Sequence, residues 1–486
     1  MGILSIITWI PLVGAAIVLL IPKQRVRLIQ GVAIACAGLS FVLSWNLLAS
    51  FDQTSSALQF VERYSWIPEM GMTYALGVDG LSFPMVLLTT LLMLISMIAS
   101  LTITENAKAY YAWFLLLEFA VVGVFAAQDW FLFYMFWEIT LIPMFFLIGV
   151  WGGAGKGPAS MSFFLYTLGG SVFMLLGIIA AYLGTPTHTF DMVEMVKANV
   201  GWSRDFQIFV FLAFFLGLAV KIPVFPVHGW LPLAHVEAPV PVSVILSGIL
   251  LKMGGYGLMR ISGLFPVGLE WFAPFLLILG LINIVYGSLM AWRQTDLKAM
   301  VAFSSISHMG FVVLGIAGLN VIGFTGALYQ MFAHGVITGA LFLLVGVIYD
   351  RTHTRQVTDF GGLSRRVPVY ATLLALALLA SMGLPGLGGF IGEFHALVGA
   401  FQLWGLWVAI AAIGILVTAA YSLRTIGQML MGQLNPRWAD LKDMTATELV
   451  MVVPLAILMI GLGLFPSMAL TLMTTTLTDM VAVFNK

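Results

Sequence analysis

Six ionisable side chains lie deep inside apolar stretches of this chain: Glu138, Lys221, Lys252, His308, His334 and Glu393. Glu138 sits in WFLFYMFWEITLIPMFF, Lys252 in VSVILSGILLKMGGYGLM and His334 in GALYQMFAHGVITGALF, while His308 follows AFSSIS. A charged group at the centre of a membrane helix costs about 2.5–3.5 kcal/mol on the mildest scale, so its presence there is a functional hypothesis by default. A carboxylate beside an ammonium suits proton transport for a definable reason. Burial favours the neutral amine and a nearby carboxylate favours the ammonium, so altering that pairing loads or releases a proton. Histidines titrate near neutrality and relay between such stations. Two blander readings compete: a static Glu138–Lys221 ion pair that only locks helices together, and histidines that are satisfied core residues. Six stations distributed over both halves of the chain favour transport.

The elements that must hold these groups are membrane helices. Of 486 residues, 61% are hydrophobic and 9% charged, against about 25% charged in soluble domains. Apolar stretches of about 20 residues, the length of a spanning helix, recur about fourteen times. They fall near 2–21, 27–49, 81–103, 109–127, 130–150, 160–183, 206–226, 240–262, 271–291, 299–317, 320–349, 368–400, 403–430 and 447–470. The eleventh and twelfth are the candidates for tilting or breakage. A β-barrel would show short alternating segments instead, so the expected fold is an all-α integral membrane bundle.

The single cysteine, Cys36, excludes an intrachain disulfide and an iron–sulfur cluster held by this chain alone. There is no GxGxxG after a strand and no P-loop, and no cofactor or metal is expected on this chain. His228, His235 and Glu237 fall in a proline-rich loop without ligand-like clustering. The first apolar run ends at Lys23, Arg25 and Arg27 without a small-residue cleavage site, and reads as a retained helix. With that loop placed inside, Lys108, Lys156, Arg293, Lys298, Arg351, Arg355, Arg365, Arg366, Arg424, Arg437 and Lys442 fall on the same side. Only Arg63, Lys197, Arg204, Arg260 and Lys486 fall outside. The positive-inside rule then puts both termini outside.

Two helices are interrupted. Pro223 and Pro226 follow Lys221 in FFLGLAVKIPVFPVHGWLP, and Pro385 with several glycines precedes Glu393 in SMGLPGLGGFIGEFH. Proline removes a backbone donor, and backbone groups freed inside a membrane must be buried in protein or face a hydrated cavity. Paired broken helices therefore point to a transport site. Lys221 and Glu393 are 172 residues apart, Lys252 and Arg424 also 172, and Glu138 and His308 170. Five helices separate the members of each pair, and an odd number reverses orientation. The expected architecture is an inverted repeat of helices 4–8 (residues 106–265) and 9–13 (266–432), with helices 7 and 12 broken. Helices 1–3 (1–105) precede it and helix 14 (433–486) follows.

At these residues the sequence resembles the antiporter-like subunits of respiratory complex I. The matching segments are FYMFWEITLIPMFFLIGVWGG, AVKIPVFPVHGWLPLAHVEAP, ILLKMGGYGLMR, SSISHMGFVVLG, QMFAHG and YDRTHT, over roughly residues 75–430. Within that family it looks most like the M-type subunits, the fourth subunit of the mitochondrial enzyme and the D-type subunit of the cyanobacterial and plastid one. Glu393 stands where L- and N-type subunits usually carry Lys, and no long lateral helix follows helix 14. The resemblance implies that Glu138 and Lys221 form the coupled pair of a first half-channel, with Lys221 as the switching carrier. Lys252 would connect it laterally, His308 and His334 would continue the axis, and Glu393 would end the second half-channel. It also implies a proton-translocating subunit of an NAD(P)H or ferredoxin:quinone oxidoreductase (NDH-1). Flavin, iron–sulfur clusters and quinone would then belong to partner subunits. The implied partners are L-type, N-type and small membrane subunits, in a bacterial inner membrane or a cyanobacterial or plastid thylakoid, with no nucleic acid. One departure is Leu233 in WLPLAH, where relatives commonly have Asp; it bears on that loop, not on the channel.

Alternatives stay open at this point. A D-type subunit of a multisubunit sodium/proton antiporter, or a membrane hydrogenase subunit, shares the Glu and Lys stations. A scaffold would use the polar row only to fix partners, and an autonomous transporter would work alone. Glu118, in WFLLLEFAVVG, is either a seventh station or a helix-contact residue, and His395 has no assigned role.

Overall fold

A computed structural model describes residues 2–484. Met1, Asn485 and Lys486, the last of which enters the charge count above, lie outside the described residues. Each expected span contains helix, and among the described residues thirteen helical stretches are long and apolar enough to cross a membrane. Arg204–Lys221 misses that set because it carries Arg204, Asp205 and Lys221. The twelfth and thirteenth spans run together as Gly388–Leu430, through Gly405 at φ 54°. The eleventh is unbroken over Val321–Thr352, whereas the twelfth is interrupted between Ser381 and Gly388. Val240–Leu264 and Val321–Thr352 are buried over the whole of their most apolar stretches. Both are mostly apolar, as helices at the centre of a bundle are, and the Lys252 and His334 side chains that they carry are buried with them.

Two features were not anticipated. Strands β1 (Gln59–Ile67) and β2 (Met72–Val78) pair as an antiparallel hairpin that turns at Gly71, φ 65°. The alternation in QFVERYSWI is a period-two signal, too short to register among stretches of spanning length. Beyond Ala446–Leu464 the segment 433–486 contains a second helix, Ser467–Val481, and not one helix alone. It docks beside the hairpin, where the Gly80 N–H donates to Thr476 at 3.0 Å and Ser56 to Asp479.

The bundle has two distinct faces. The hairpin face carries the ion pairs Arg63–Asp191 and Arg260–Asp79. The opposite, basic face carries Arg351–Glu448 and Arg355–Asp296. Asp129 caps Trp130–Trp151 by accepting from the N–H groups of Phe131 and Leu132, and Asp296 caps Leu297–Ala317 through Lys298 and Ala299. Each also sits in an isolated β-bridge, to Asp191 and to Gln356. Asp129 receives Thr73 of the hairpin, whereas Asp296 pairs with Arg355 on the other face. One helix start is thus built twice, in opposite orientations, as an inverted repeat requires.

The two breaks agree at the level of single hydrogen bonds. Ile222 and Met382 each bond back four residues, Val224 and Leu384 five, and Val227 and Leu387 three. The matching residues (222 with 382, 224 with 384, 227 with 387) are all 160 apart. Lys221 is therefore equivalent to Ser381, not to Glu393. The capped helix starts, 129 and 296, are 167 apart, which makes Ser305 the counterpart of Glu138. The offsets of 170–172 select the right helices but the wrong positions, because the connecting segments differ in length between the halves.

Candidate functional site

Lys221 ends the helix Arg204–Lys221, and the helix Trp230–Glu237 continues the chain beyond the break. Backbone groups freed between them are met by side chains. Phe225 donates its N–H to Asn283 Oδ1 at 2.8 Å, Asn283 Nδ2 donates to the Pro223 carbonyl at 3.1 Å, and Trp230 Nε1 to the Val220 carbonyl at 3.0 Å. Lys221 is left out of this repair. Its buried Nζ has no hydrogen-bond partner and lies 5.5 Å from the Trp137 ring centroid and 5.3 Å from that of Phe163. Glu138, next to Trp137, likewise has a buried, unpartnered Oε1. Among the described residues Glu138 and Lys221 make no direct ion pair, so a static lock is not what is built.

The other four predicted residues form one connected cluster. The π-turn Leu246–Leu250 precedes the helix Leu251–Leu264, and such turns recur at functional sites because they loosen the regular ladder. Lys252 Nζ donates to the Ser247 carbonyl at 2.5 Å and meets His334 Nδ1 at 2.6 Å. The His334 and His308 ring centroids are 5.4 Å apart. His308 Nδ1 then meets Glu393 Oε1 at 2.9 Å, and its Nε2 meets Ser381 Oγ at 3.1 Å. Gln330 Nε2 donates to the same Glu393 oxygen at 3.5 Å. His308, His334, Ser381 and Glu393 line a cavity of about 10 Å³, at the lower limit for one water. Close helix approach makes the cluster possible: a Cβ on Gly326 would stand 2.3 Å from the Ala396 nitrogen. Small residues at such contacts let membrane helices pack backbone to backbone.

Several buried polar groups escaped sequence reasoning. Lys298, counted as a loop charge, is buried and donates to the Ala238 carbonyl at 2.5 Å and that of Val236 at 3.3 Å. It borders a vestibule of about 940 Å³ on the basic face, with Glu237, Asp350 and Arg355. His235 is fully buried, with both ring nitrogens unpartnered and its ring stacked on Phe342 at 4.8 Å. The signal for Lys298 was Asp296 two residues earlier, a helix N-cap that draws the lysine into the first turn. Asp79 and Arg260 form a bidentate pair with contacts of 2.6 and 2.8 Å. Burial pushes the Asp79 carboxyl up, but the Arg260 guanidinium and the N–H groups of Ser82 and Leu81 outweigh it and hold the group below the usual carboxylate range. Both Glu118 oxygens are buried without partners. His395 Nδ1 only meets the Ile391 carbonyl of its own helix, at 2.8 Å. Among the described residues no set of three or more His, Cys, Asp or Glu side chains could hold a metal ion.

Known proteins resemble this chain in sequence and in fold. The family profile described as NADH:quinone oxidoreductase/Mrp antiporter, transmembrane region, matches residues 127–421. The NADH-quinone oxidoreductase subunit M of Rhodobacter capsulatus is 43% identical over 500 residues, covering 100% of this chain and 97% of the relative. A chain of respiratory complex I from Thermus thermophilus with bound NADH superposes with a TM-score of 0.89 at 30% identity, covering 98% of this chain and 99% of that one. A chain of the Mrp complex from Dietzia sp. DQ12-45-1b shares the fold, with a TM-score of 0.85 at 21% identity and coverage of 99% and 98%. This multi-pass integral membrane chain therefore belongs to the NADH:quinone oxidoreductase/Mrp antiporter transmembrane family.

Proposed function

We propose that the chain is an M-type membrane-arm subunit of a complex I-like NAD(P)H or ferredoxin:quinone oxidoreductase. It moves protons through two half-channels joined by the buried polar row, driven by redox chemistry in other subunits, and carries no redox chemistry itself. The observation that supports this best is the series Lys252–His334–His308–Glu393, hydrogen-bonded at both ends with the two imidazole rings 5.4 Å apart between them, together with an unpaired lysine at a broken helix. Lys221 is the switching carrier and Glu138 its modulator, Lys252 and the two histidines pass the proton laterally, and Glu393 is the terminal station. The repeat divides the chain at 105/106, 265/266 and 432/433, both termini lie on the outer side, and the partners are L-type, N-type and small membrane subunits. The reading as an antiporter subunit of the Mrp kind has the fold in its favour at 21% identity, against 43% for the subunit M relative. The test is proton translocation per redox turnover in the assembled complex carrying Glu138→Gln or Lys221→Ala. Translocation should fall in both; pumping that survives both changes, with assembly intact, overturns the mechanism.

A further inference from the structure

The polar row has a side branch that the transport reading leaves unused. Lys252, Tyr256 and Arg260 fall at i, i+4 and i+8 of the helix Leu251–Leu264, so they stack one turn apart on one face, leading from the row to the hairpin face. Arg260 meets Asp79 there through its two terminal guanidinium nitrogens, Nη1 and Nη2. Left open, this line would let a proton held at Lys252 escape sideways.

The hydrogen bonds along it forbid that. The fully buried Tyr256 hydroxyl accepts from Arg260 Nε at 3.0 Å and donates to the Phe125 carbonyl at 3.3 Å. A relay group must take a proton on one side and give one on the other. A guanidinium has donors but no acceptor and keeps its proton, and a carbonyl only accepts. Each neighbour of the tyrosine is therefore a dead end. Its ring is also enclosed, with Phe125 at 5.2 Å and Phe133 at 6.4 Å between centroids. The helix Ser467–Val481 covers the outer end: a Cβ on Gly80 would stand 2.4 Å from the Leu472 carbonyl oxygen.

We propose that Tyr256, Arg260 and Asp79 form a proton-tight stopper, which closes the buried row toward the hairpin face and commits protons at Lys252 to His334. Arg260 and Asp79 act as positioning residues through Tyr256. The proposal rests on the row carrying protons, and its test separates the two ideas. The native complex and an Asp79→Asn/Arg260→Ala double variant, which leaves no lone buried charge, are reconstituted in liposomes. Collapse of an imposed pH gradient is followed without redox turnover. The double variant should collapse the gradient several-fold faster, because water fills the space beside Tyr256, and adding Lys252→Met should restore the native rate. A double variant as tight as the native complex overturns the stopper, as does a leak that Lys252→Met leaves unchanged. If the double variant does not assemble, Tyr256→Phe decides alone: it exposes the Arg260 and Phe125 groups and should also speed collapse, and an unchanged rate overturns the proposal. Failure of the transport reading shows separately, as undiminished pumping by Lys221→Ala during turnover in the same vesicles.

Discussion

The two broken helices share a backbone and differ in what they hold. After Lys221 and after Ser381 the chain makes the same succession of bonds, to residues four, five and three back. At the first break the equivalent position carries a lysine whose Nζ has no partner. At the second it carries a serine that steadies His308, and the acid comes after the break on the helix Gly388–Trp404. The duplicated device is the interruption, and different side chains stand on it in the two halves. One half presents an unpartnered lysine amine among aromatic rings, the other an acid side chain engaged with a histidine.

The largest effect expected from this difference is at Lys221. Lys221→Met removes a buried, unbonded ammonium and keeps an apolar chain of similar length, so stability should be unchanged or improved. Proton translocation should nevertheless fall by about a hundredfold or more, the scale on which a positioned acid–base group contributes. Thermal unfolding of the purified complex and pumping in vesicles measure the two quantities. A fall in stability comparable to the fall in pumping would mean that Lys221 is part of the scaffold, as Ser381 is.

A smaller contrast lies in how the breaks are held. Asn283→Ala strips the Phe225 N–H and the Pro223 carbonyl of their partner and should cost about 1–3 kcal/mol. Ser381→Ala removes one hydroxyl from His308 while leaving Glu393 on its other nitrogen, and should cost about 0.5–1.5 kcal/mol. Denaturation midpoints of the two variants test the order. Reversal would place the mechanical weak point at the second break.

Much of this was legible beforehand, for reasons that also explain what was not. Helices of spanning length declare themselves by hydropathy alone, and a charge in such a run stands out, which singles out Lys252, His308, His334 and Glu393; each of them lies next to the following member of the series Lys252–His334–His308–Glu393. Proline and glycine marked both breaks. Spacing alone pairs Lys221 with Glu393, but the backbone pattern pairs it with Ser381, because the segments between the breaks and the polar residues differ in length between the halves. The Lys298–Ala238 contact joins residues 60 apart, and Asp79–Arg260 joins residues 181 apart. Packing makes both, and each side chain alone reads as a loop charge.

That last pair supplies a control for the buried row, since it is charged and tertiary but has a fixed partner. Arg260 and two backbone N–H groups hold the Asp79 carboxyl below its ordinary value despite burial. A depressed carboxylate stabilises the fold above the unfolded-state value of about 3.9, and that contribution is lost as pH falls through the lower folded value. Acidification from neutrality to about pH 4 should therefore leave this pair intact, and further acidification should lower the thermal midpoint. Asp79→Asn is less stable at neutral pH, because Arg260 stays buried without its counter-charge, but it should show a shallower loss below pH 4. Thermal midpoints of both proteins across that range measure the slope. Equal slopes would mean that Asp79 takes up its proton alike in the folded and unfolded states, and would move the acid sensitivity elsewhere among the ion pairs of the two faces.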